Sequence, residues 1–307
     1  MCVHAHPDDE CSSTGGILAK YGAEGALTSL ITATKGENGL IRDPRIRLQP
    51  WETLGIVRQR ELTLATNILK VHFVNFLGYR DSGMAGTPEN ANLEAFCNAD
   101  PEEACRRLVL NIRKLRPQVL VTYNENGGYG HPDHVMCNRI TQAAFELAAD
   151  PDFAWDDGEE PWQSKKLYYI TFDPEARRRL DAKLQEAGFE PMFPNREASA
   201  DRPGTGPTPP RMTPTPITTR VDVSAYAALK RQALLEHRTQ IFGTRWDKAP
   251  AEIWVAGYSE EVFTRVRSLV PAPDQETDLF AGLRDESVSA SDYTIRHAQP
   301  VGTHFVA

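Results

Sequence analysis

The chain has 307 residues, of which 40% are hydrophobic and 25% are charged, as in soluble globular proteins that bury their own core. Lys and Arg total 34 against 42 Asp and Glu, so the formal net charge is −8. This negative balance, without any cluster of Lys and Arg, argues against a nucleic-acid-binding protein. No apolar run approaches the roughly 18 residues that a membrane-spanning helix needs.

The cysteines and the first residues indicate the compartment. Five cysteines form an odd set without CxxC spacing, which is typical of reduced thiols and not of disulfides or a thiolate zinc site. The chain begins MCVHAHPDDE, without the basic start and apolar segment of a signal peptide. We therefore predict a cytoplasmic protein. The first strand is short, so either the natural start lies upstream of Met1 or the strand itself is short.

Patterns in the first 172 residues predict strands that alternate with helices. The predicted strands cover residues 1–5, 26–34, 71–77, 118–123 and 165–172, and the predicted helices cover residues 12–25, 51–69, 101–115 and 132–148. Such alternation is typical of βαβ units with right-handed crossovers. We predict an α/β fold with a Rossmann-like, mostly parallel sheet flanked by helices.

After residue 172 the pattern is mixed. We predict a helix over 174–188, a loop rich in Pro, Thr and Gly over 195–216, a strand over 216–223 and a helix over 225–237. Residues 1–172 are predicted to form the catalytic domain with the metal site. Residues 173–307 are predicted to form a smaller α+β extension that packs on this domain as a lid.

Polar clusters follow the predicted strands, where ligands bind in parallel sheets. Two of them, HPDDE at residues 6–10 and HPDH at residues 131–134, hold three of the eight histidines. Each segment alone is also compatible with a simple helix start, at which an Asp caps the helix. Together they supply two His and one Asp, a ligand set that suits zinc with open positions for water and substrate.

The spacing predicts His6, Asp9 and His134 as metal ligands, with Asp8 and His131 beside the metal. Zinc lowers the pKa of a bound water towards about 7 and polarises a carbonyl group. Asp8 would then act as general base. His131 would stabilise the oxyanion or protonate the departing amine.

Tyr129 lies in the glycine-rich loop before His131, so its hydroxyl could reach the carbonyl oxygen of a substrate. The alternative is an aromatic side chain that only packs within the loop. Three other residues are given structural roles. His72 is predicted to lie in the core, His237 at a helix C-terminus or in the cleft, and Glu10 beside a ligand or as a helix cap.

The motif HAHPDDE at residues 4–10 and the motif TYNENGGYGHPDH at residues 122–134 resemble those of the LmbE/PIG-L family of zinc-dependent N-deacetylases. The similarity runs through nearly the whole chain. It implies a Rossmann-like fold and the removal of an acyl group from an N-acylated amino sugar. It also implies the roles already given for the two motifs: three zinc ligands, a general base, and His131 and Tyr129 at the oxyanion and leaving group.

Two branches of that family, both acting in mycothiol metabolism, share further segments with this chain. The segments GYRDSGMAGT and NADP are similar to deacetylases of GlcNAc-inositol, whereas EEPWQSKKLYY, TTRVDVSAY and HRTQI resemble amidases of mycothiol S-conjugates. The resemblance to the deacetylases implies that Arg58 and Asp81 bind the sugar. Their alternatives are a surface ion pair for Arg58 and the start of a turn for Asp81.

We expect a metal-dependent hydrolase, with Zn²⁺ or Fe²⁺, that removes an acetyl group from an amino-sugar conjugate such as GlcNAc-inositol. The nearest alternative is an amidase of thiol S-conjugates. An Fe(II) oxygenase and a non-catalytic sugar-binding module are the more distant alternatives. The expected partner is a small molecule, neither nucleic acid nor membrane, and a homo-oligomer stays open.

Overall fold

The computed structural model describes residues 1–153, 158–193 and 214–284. The strands are β1 (Cys2–His4), β2 (Ser29–Thr34), β3 (Phe73–Tyr79), β4 (Val119–Thr122), β5 (Lys166–Ile170), β6 (Thr219–Asp222) and β7 (Glu260–Ser268). The helices are α1 (Asp9–Ser13), α2 (Gly15–Ala23), α3 (Leu54–Leu69), α4 (Pro101–Leu115), α5 (Gly127–Gly130), α6 (Pro132–Leu147), α7 (Pro174–Glu186), α8 (Ala227–Glu236), α9 (Arg238–Ile241), α10 (Arg245–Lys248) and α11 (Ala251–Gly257). The predicted loop 195–216 lies outside the described residues except for 214–216.

All seven strands form one sheet in the order β3-β2-β1-β4-β5-β7-β6. The first five strands are parallel, and β7 pairs antiparallel with both β5 and β6. The predicted α/β fold with a mostly parallel sheet is confirmed. The chain after residue 172 therefore adds two strands to the same sheet, and the division of the chain at that residue stays a prediction.

Helices cover both faces of the sheet, because successive side chains of a strand point to opposite faces. One buried cluster joins Val3, Ile31 and Leu120 of the strands to the apolar sides of α4 and α6. A second joins Leu30 and Val121 to α2 and α3. In the described part of the chain, no helix is long and apolar enough to cross a membrane.

The predicted helix over 12–25 is two helices that begin earlier, at Asp9, and break at Thr14. The φ of Thr14 is −136°, outside the helical range. Its buried hydroxyl lies 3.1 Å from the Glu10 carbonyl oxygen and 2.9 Å from His4 Nε2. The helix is therefore interrupted at Thr14, where side-chain hydrogen bonds stabilise a non-helical backbone. The pattern of apolar residues does not reveal such an interruption.

The prediction that His72 lies in the core is wrong. His72 is exposed and comes one residue before β3 begins. Its Nδ1 accepts a hydrogen bond of 3.2 Å from the Thr28 N–H, so the side chain ties the start of β3 to the segment before β2. The predicted strand begins at residue 71, two residues before β3 begins in the structure, and the prediction therefore places His72 inside the sheet.

The topology brings the two histidine motifs together. Strand β1 has β2 on one side and β4 on the other, so the strand order reverses between β1 and β4. The segment HPDDE follows β1, and the segment with HPDH follows β4. In parallel sheets, ligands bind outside the carboxyl ends of the strands at such a reversal.

Candidate active site

The three predicted metal ligands converge on one oxygen atom. Asp9 Oδ2, at the start of α1, lies 3.3 Å from His6 Nδ1 and 3.4 Å from His134 Nε2 of α6. Ligand atoms about 2.0–2.2 Å from a tetrahedral zinc are about 3.3–3.6 Å from one another. The distances from Asp9 Oδ2 to the two ring nitrogens therefore match those between ligands of one metal ion.

The far sides of the two imidazole rings have the partners that metal-binding histidines usually have. His6 Nε2 lies 3.1 Å from Asp133 Oδ2, and His134 Nδ1 lies 3.1 Å from the Gly127 carbonyl oxygen. Such partners fix the tautomer and leave the other ring nitrogen free to bind the metal. Within the described residues, His134 Nε2 is buried and has no hydrogen-bond partner, which is compatible with metal binding at this atom.

Two groups of these side chains have ligand atoms that all lie within 4.8 Å of one another, and neither includes Asp9. They are His6, His131 and His134, and His6, Asp81, His131 and Asp133. The second group would compete with the bond between His6 and Asp133. We favour the set around Asp9, because it leaves that bond intact and uses the buried His134 Nε2.

Asp133 is a residue that sequence analysis missed, since it treated this position only as a helix cap. Its side chain is fully buried. Besides His6, it accepts a 2.9 Å hydrogen bond from the Ser82 N–H and another bond from the Ser82 hydroxyl. Asp133 belongs to the HPDH motif, so its position could have been noted, but the sequence does not show that its carboxylate is directed towards His6.

Asp8 has a strained backbone. Its φ is 113° and its ψ is −27°, a left-handed conformation that costs a residue other than glycine about 1–3 kcal/mol. Its N–H donates to Glu10 Oε2 at 2.9 Å, and its Oδ2 lies 3.2 Å from Arg58 Nη2. Burial raises the pKa of Asp8 to about 6, although the Arg58 guanidinium lowers it.

Arg58 is buried, so its interpretation as a surface ion pair is wrong. Besides Asp8, it donates to the Pro7 carbonyl oxygen at 2.5 Å and to the Gly36 carbonyl oxygen at 2.8 Å. Gly36 has a φ of +66°, and a Cβ there would lie 1.9 Å from Arg58 Nη1. The turn after β2 therefore requires glycine for the guanidinium to pass.

Asp81 lies beside His6 and also starts a turn. Its Oδ1 accepts from the Gly83 N–H at 2.8 Å and lies 3.5 Å from His6 Nε2, and its Oδ2 accepts from the Asn38 N–H at 3.1 Å. Burial would raise the pKa of Asp81, but the hydrogen bond and charge of His6 outweigh it and lower that pKa. Asp81 is therefore an ionised acceptor at the edge of the site.

His131 forms the N-cap of α6. Its Nδ1 accepts from the Asp133 N–H at 3.2 Å, which assigns the proton of the neutral ring to Nε2. Burial, with His6 and His134 nearby, lowers the pKa of His131 to about 2. Its ring centroid lies 4.4 Å from that of His6 and 5.1 Å from that of His134. The structure thus places a neutral donor beside the candidate ligands.

Two tyrosines contact the His134 ring. Tyr129 meets it edge-on, with 4.9 Å between the ring centroids. Tyr123 stacks on it at 4.0 Å, and the Tyr123 hydroxyl accepts from the Ala5 N–H at 2.9 Å. Sequence analysis missed Tyr123, because its place at the end of a predicted strand gave no sign of this stacking. These two aromatic contacts restrict the orientation of the His134 ring.

A cavity of about 580 Å³ opens beside Asp9, Tyr129 and His134. Its lining also includes aromatic residues, Phe172, Phe193, Trp246 and Tyr258, and side chains of both charges, among them Arg177, Lys183, Asp173 and Glu260. This volume is in the usual range for a small-molecule site. As far as the described residues show, Arg58 and Asp81 are not among those that line it.

Comparisons with known proteins agree with this geometry. Residues 1–145 match the family model described as PIG-L: GlcNAc-PI de-N-acetylase. The 1D-myo-inositol 2-acetamido-2-deoxy-alpha-D-glucopyranoside deacetylase of Thermobifida fusca (strain YX) is 41% identical over 295 residues, which cover 92% of this chain and 98% of that relative.

Two solved structures share the fold. The conserved protein TT1542 from Thermus thermophilus matches with a TM-score of 0.56 and 23% identity, over 89% of this chain and 96% of that one. The N,N'-diacetylchitobiose deacetylase from Pyrococcus horikoshii matches with a TM-score of 0.56 and 18% identity, over 87% of this chain and 82% of that one.

Proposed function

This chain belongs to the PIG-L family of N-deacetylases, as its motifs indicate, and we propose that it hydrolyses the acetamide of GlcNAc-inositol. The observation that carries the proposal is the convergence of His6 Nδ1 and His134 Nε2 on Asp9 Oδ2. The relative from Thermobifida fusca, which bears the name of that reaction, supports the choice of substrate.

In this proposal His6, Asp9 and His134 hold the metal ion. Two imidazoles and one carboxylate suit Zn²⁺, and the same set also suits Fe²⁺. When bound, the ion would polarise the amide carbonyl and lower the pKa of a water molecule. Asp133 keeps the His6 ring oriented through the bond to Nε2.

Asp8 is proposed to take the proton of the attacking water at its carboxylate. A pKa of about 6 leaves this carboxyl ionised at neutral pH and still basic enough to accept a proton. Arg58 holds the same carboxylate through Nη2 at 3.2 Å. Arg58 also donates from Nη1 and Nη2 to the carbonyl oxygens of Gly36 and Pro7. Because these donors are already in use, the structure supports Arg58 as a sugar-binding residue less than it supports Asp81.

His131 is proposed to donate a hydrogen bond from its Nε2–H to the oxyanion of the tetrahedral intermediate, and the proton that Asp8 takes from the water to pass to the departing amine. Of the two predicted roles of His131, this one is favoured because the ring is neutral and Nδ1 is already an acceptor. Tyr129 is proposed as a second donor, since its ring lies 4.9 Å from that of His134. Asp81 would accept a sugar hydroxyl, since each carboxylate oxygen can accept more than one hydrogen bond.

The cavity favours one second candidate, an amidase whose substrate carries a larger acyl group. What favours it is the lining of the cavity, which includes Phe172, Trp246 and Tyr258 together with Arg177 and Lys183. Such side chains would suit a thiol conjugate with an aromatic or anionic substituent. An Fe(II) oxygenase and a non-catalytic sugar-binding module have no comparable support.

The test is amine release by the full-length protein, loaded with zinc or treated with a chelator. We expect the zinc-loaded protein to release amine from GlcNAc-inositol, and re-addition of zinc to restore the chelated sample. Faster release from a cysteinyl S-conjugate of the same amino sugar would favour the second candidate. Amine release from neither substrate would contradict both.

A further inference from the structure

A buried ion pair joins the C-terminal part of the chain to the turn that carries Asp8. His237, which follows α8, donates from Nε2 to Glu10 Oε1 at 2.7 Å, and neither side chain has exposed surface. As predicted, His237 lies at a helix C-terminus, where it is the C-cap residue of α8, and its side chain bonds to Glu10. Burying two charges removes their hydration, so such pairs are weak evidence for a purely stabilising role.

The second oxygen of the Glu10 carboxylate acts on Asp8. Glu10 Oε2 accepts from the Asp8 N–H at 2.9 Å, while Oε1 accepts from Cys11 Sγ at 2.9 Å as well as from His237. The carbonyl oxygen of the same peptide group, that of Pro7, accepts from Arg58. Glu10 and Arg58 therefore hold the peptide group that precedes the Asp8 Cα, the residue with a φ of 113°. The peptide group after this Cα is held by backbone bonds, from the Ser12 N–H to the Asp8 carbonyl oxygen at 3.1 Å and from the Asp9 N–H to the His6 carbonyl oxygen at 3.3 Å.

We propose that His237 is a positioning residue for the reaction: through Glu10 it keeps Asp8 in the left-handed conformation that aims its carboxylate at the site. The inference rests on the proposed function, in which Asp8 is the general base. His237 is not catalytic in this proposal, since it acts on Asp8 through its bond to Glu10. The chain beyond residue 172 would then take part in catalysis by holding the base in place.

A neighbouring contact of similar burial offers a matched control. Two residues after His237, Thr239 donates from its N–H and its hydroxyl to Glu61 of α3, at 2.7 and 2.6 Å. Both contacts tie the segment after α8 to the parallel-sheet part of the molecule, and both are buried. The His237 contact continues through Glu10 to the Asp8 N–H. Thr239→Val removes the hydroxyl bond to Glu61 and keeps the N–H bond, so it reports a weakened tie to α3 instead.

The experiment measures kcat, KM, zinc per chain and Tm for full-length His237→Ala, His237→Gln and Thr239→Val. We expect His237→Ala to lower kcat at least tenfold, with KM and zinc per chain unchanged. His237→Gln, whose amide N–H can still donate to Glu10, should stay within about threefold of the unmodified protein. Thr239→Val should lower Tm and leave kcat within twofold.

Three outcomes would overturn the proposal: a normal kcat in His237→Ala, an equal fall of kcat in Thr239→Val, or a fall of kcat that follows zinc loss. The last outcome would indicate that His237 supports metal binding. This outcome must be tested because Glu10, Cys11 and His237 themselves lie close enough to hold an ion. If His237→Ala does not fold, kcat and Tm are compared in His237→Gln and Glu10→Gln. A fall of Tm without a fall of kcat in these variants counts against the proposal.

Failure of the proposed function is distinguished by structure. If the zinc-loaded unmodified protein cleaves no amide, crystal structures of that protein and His237→Gln or His237→Ala still report the Asp8 backbone. Release of Asp8 to a negative φ in His237→Ala supports the positioning role. An unchanged Asp8 overturns it whatever the substrate is.

Discussion

At the scale of single residues, neighbouring carboxylates in one motif have different environments. Asp9 lies among imidazole nitrogens, which lower its pKa although burial opposes them. Asp8 has no such histidine bonds, and burial raises its pKa to about 6. Asp9 therefore stays ionised, as a metal ligand must. Asp8 has a pKa close to neutral pH, as a general base requires.

This difference predicts separable mutations. Asp8→Ala should keep one metal ion per chain and lose roughly 10²–10⁴-fold in kcat, as expected for a general base. His134→Ala should lose the metal, because Nε2 is one of the converging atoms. Metal analysis beside amine release checks both variants. A near-normal kcat in metal-loaded Asp8→Ala would contradict the role of Asp8 as base.

The pH dependence follows from the same pKa. A general base must be ionised, so activity should fall as the pH drops through the pKa of Asp8, about 6 in the structure. Burial raises that pKa and the Arg58 guanidinium lowers it, so removal of the guanidinium should raise it further.

Arg58→Met should therefore shift the acid limb of the kcat profile to higher pH. The measurement is kcat at saturating substrate across the range from acid to mildly alkaline pH, with the exposed Arg60→Met as the control on the same helix. An acid limb that does not move in Arg58→Met would show that Arg58 does not tune this carboxyl.

At the scale of elements, the structure explains why α6 can approach the loop before it. Gly127 has a φ of +61°, and a Cβ there would lie 2.7 Å from His134 Cβ and 2.8 Å from the Val135 nitrogen. The loop that supplies the carbonyl bond to His134 Nδ1 therefore needs glycine for two reasons, conformation and close approach.

Gly127→Ala should push the loop away from α6 and lower zinc affinity at least tenfold, since His134 loses its support. Gly188→Ala is the matched control: its φ is +81°, and a Cβ there would meet nothing within 4 Å. This control should lose about 1 kcal/mol of stability and keep its zinc affinity. Competition with a chromogenic chelator measures both affinities, and equal values would contradict the close-approach argument.

The elements also show what sequence patterns can and cannot predict. The helix over 101–115 is predictable at both ends, because Asp100 caps it, Pro101 opens it and its apolar side is periodic. The strand β7 is not predicted, since its burial arises from antiparallel pairing with β5 and β6. Its stability comes from partners far away in the chain, which a local pattern does not contain.

The same limit applies to the site. His6, Asp9 and His134 are recognisable because motifs at strand ends state both residue type and position. The bond between Glu10 and His237 is not predicted, since it joins residues 227 positions apart. No motif in the sequence links Glu10 to His237.

At the scale of the whole molecule, a second buried ion pair joins the two parts of the chain. Lys166 Nζ of β5 lies 2.5 Å from Glu276 Oε1, and neither side chain is exposed. Glu276 also accepts from the Tyr168 hydroxyl at 2.7 Å and the Thr219 hydroxyl at 2.9 Å, and it pairs with Arg265 at 2.9 Å. One carboxylate thus connects β5, β6 and β7 with the segment after the sheet.

Glu276→Ala should therefore lower the free energy of unfolding of the whole chain by about 3–5 kcal/mol, because it leaves buried Lys166 without its anion. Lys166→Met combined with Glu276→Met should recover part of that loss, since no charge of the pair then stays buried, while Arg265 and the two hydroxyls still lose their acceptor. Denaturant unfolding followed by both tryptophan fluorescence and zinc release measures the effect. A continuous sheet predicts one transition for both probes; two separate transitions would contradict a single cooperative unit.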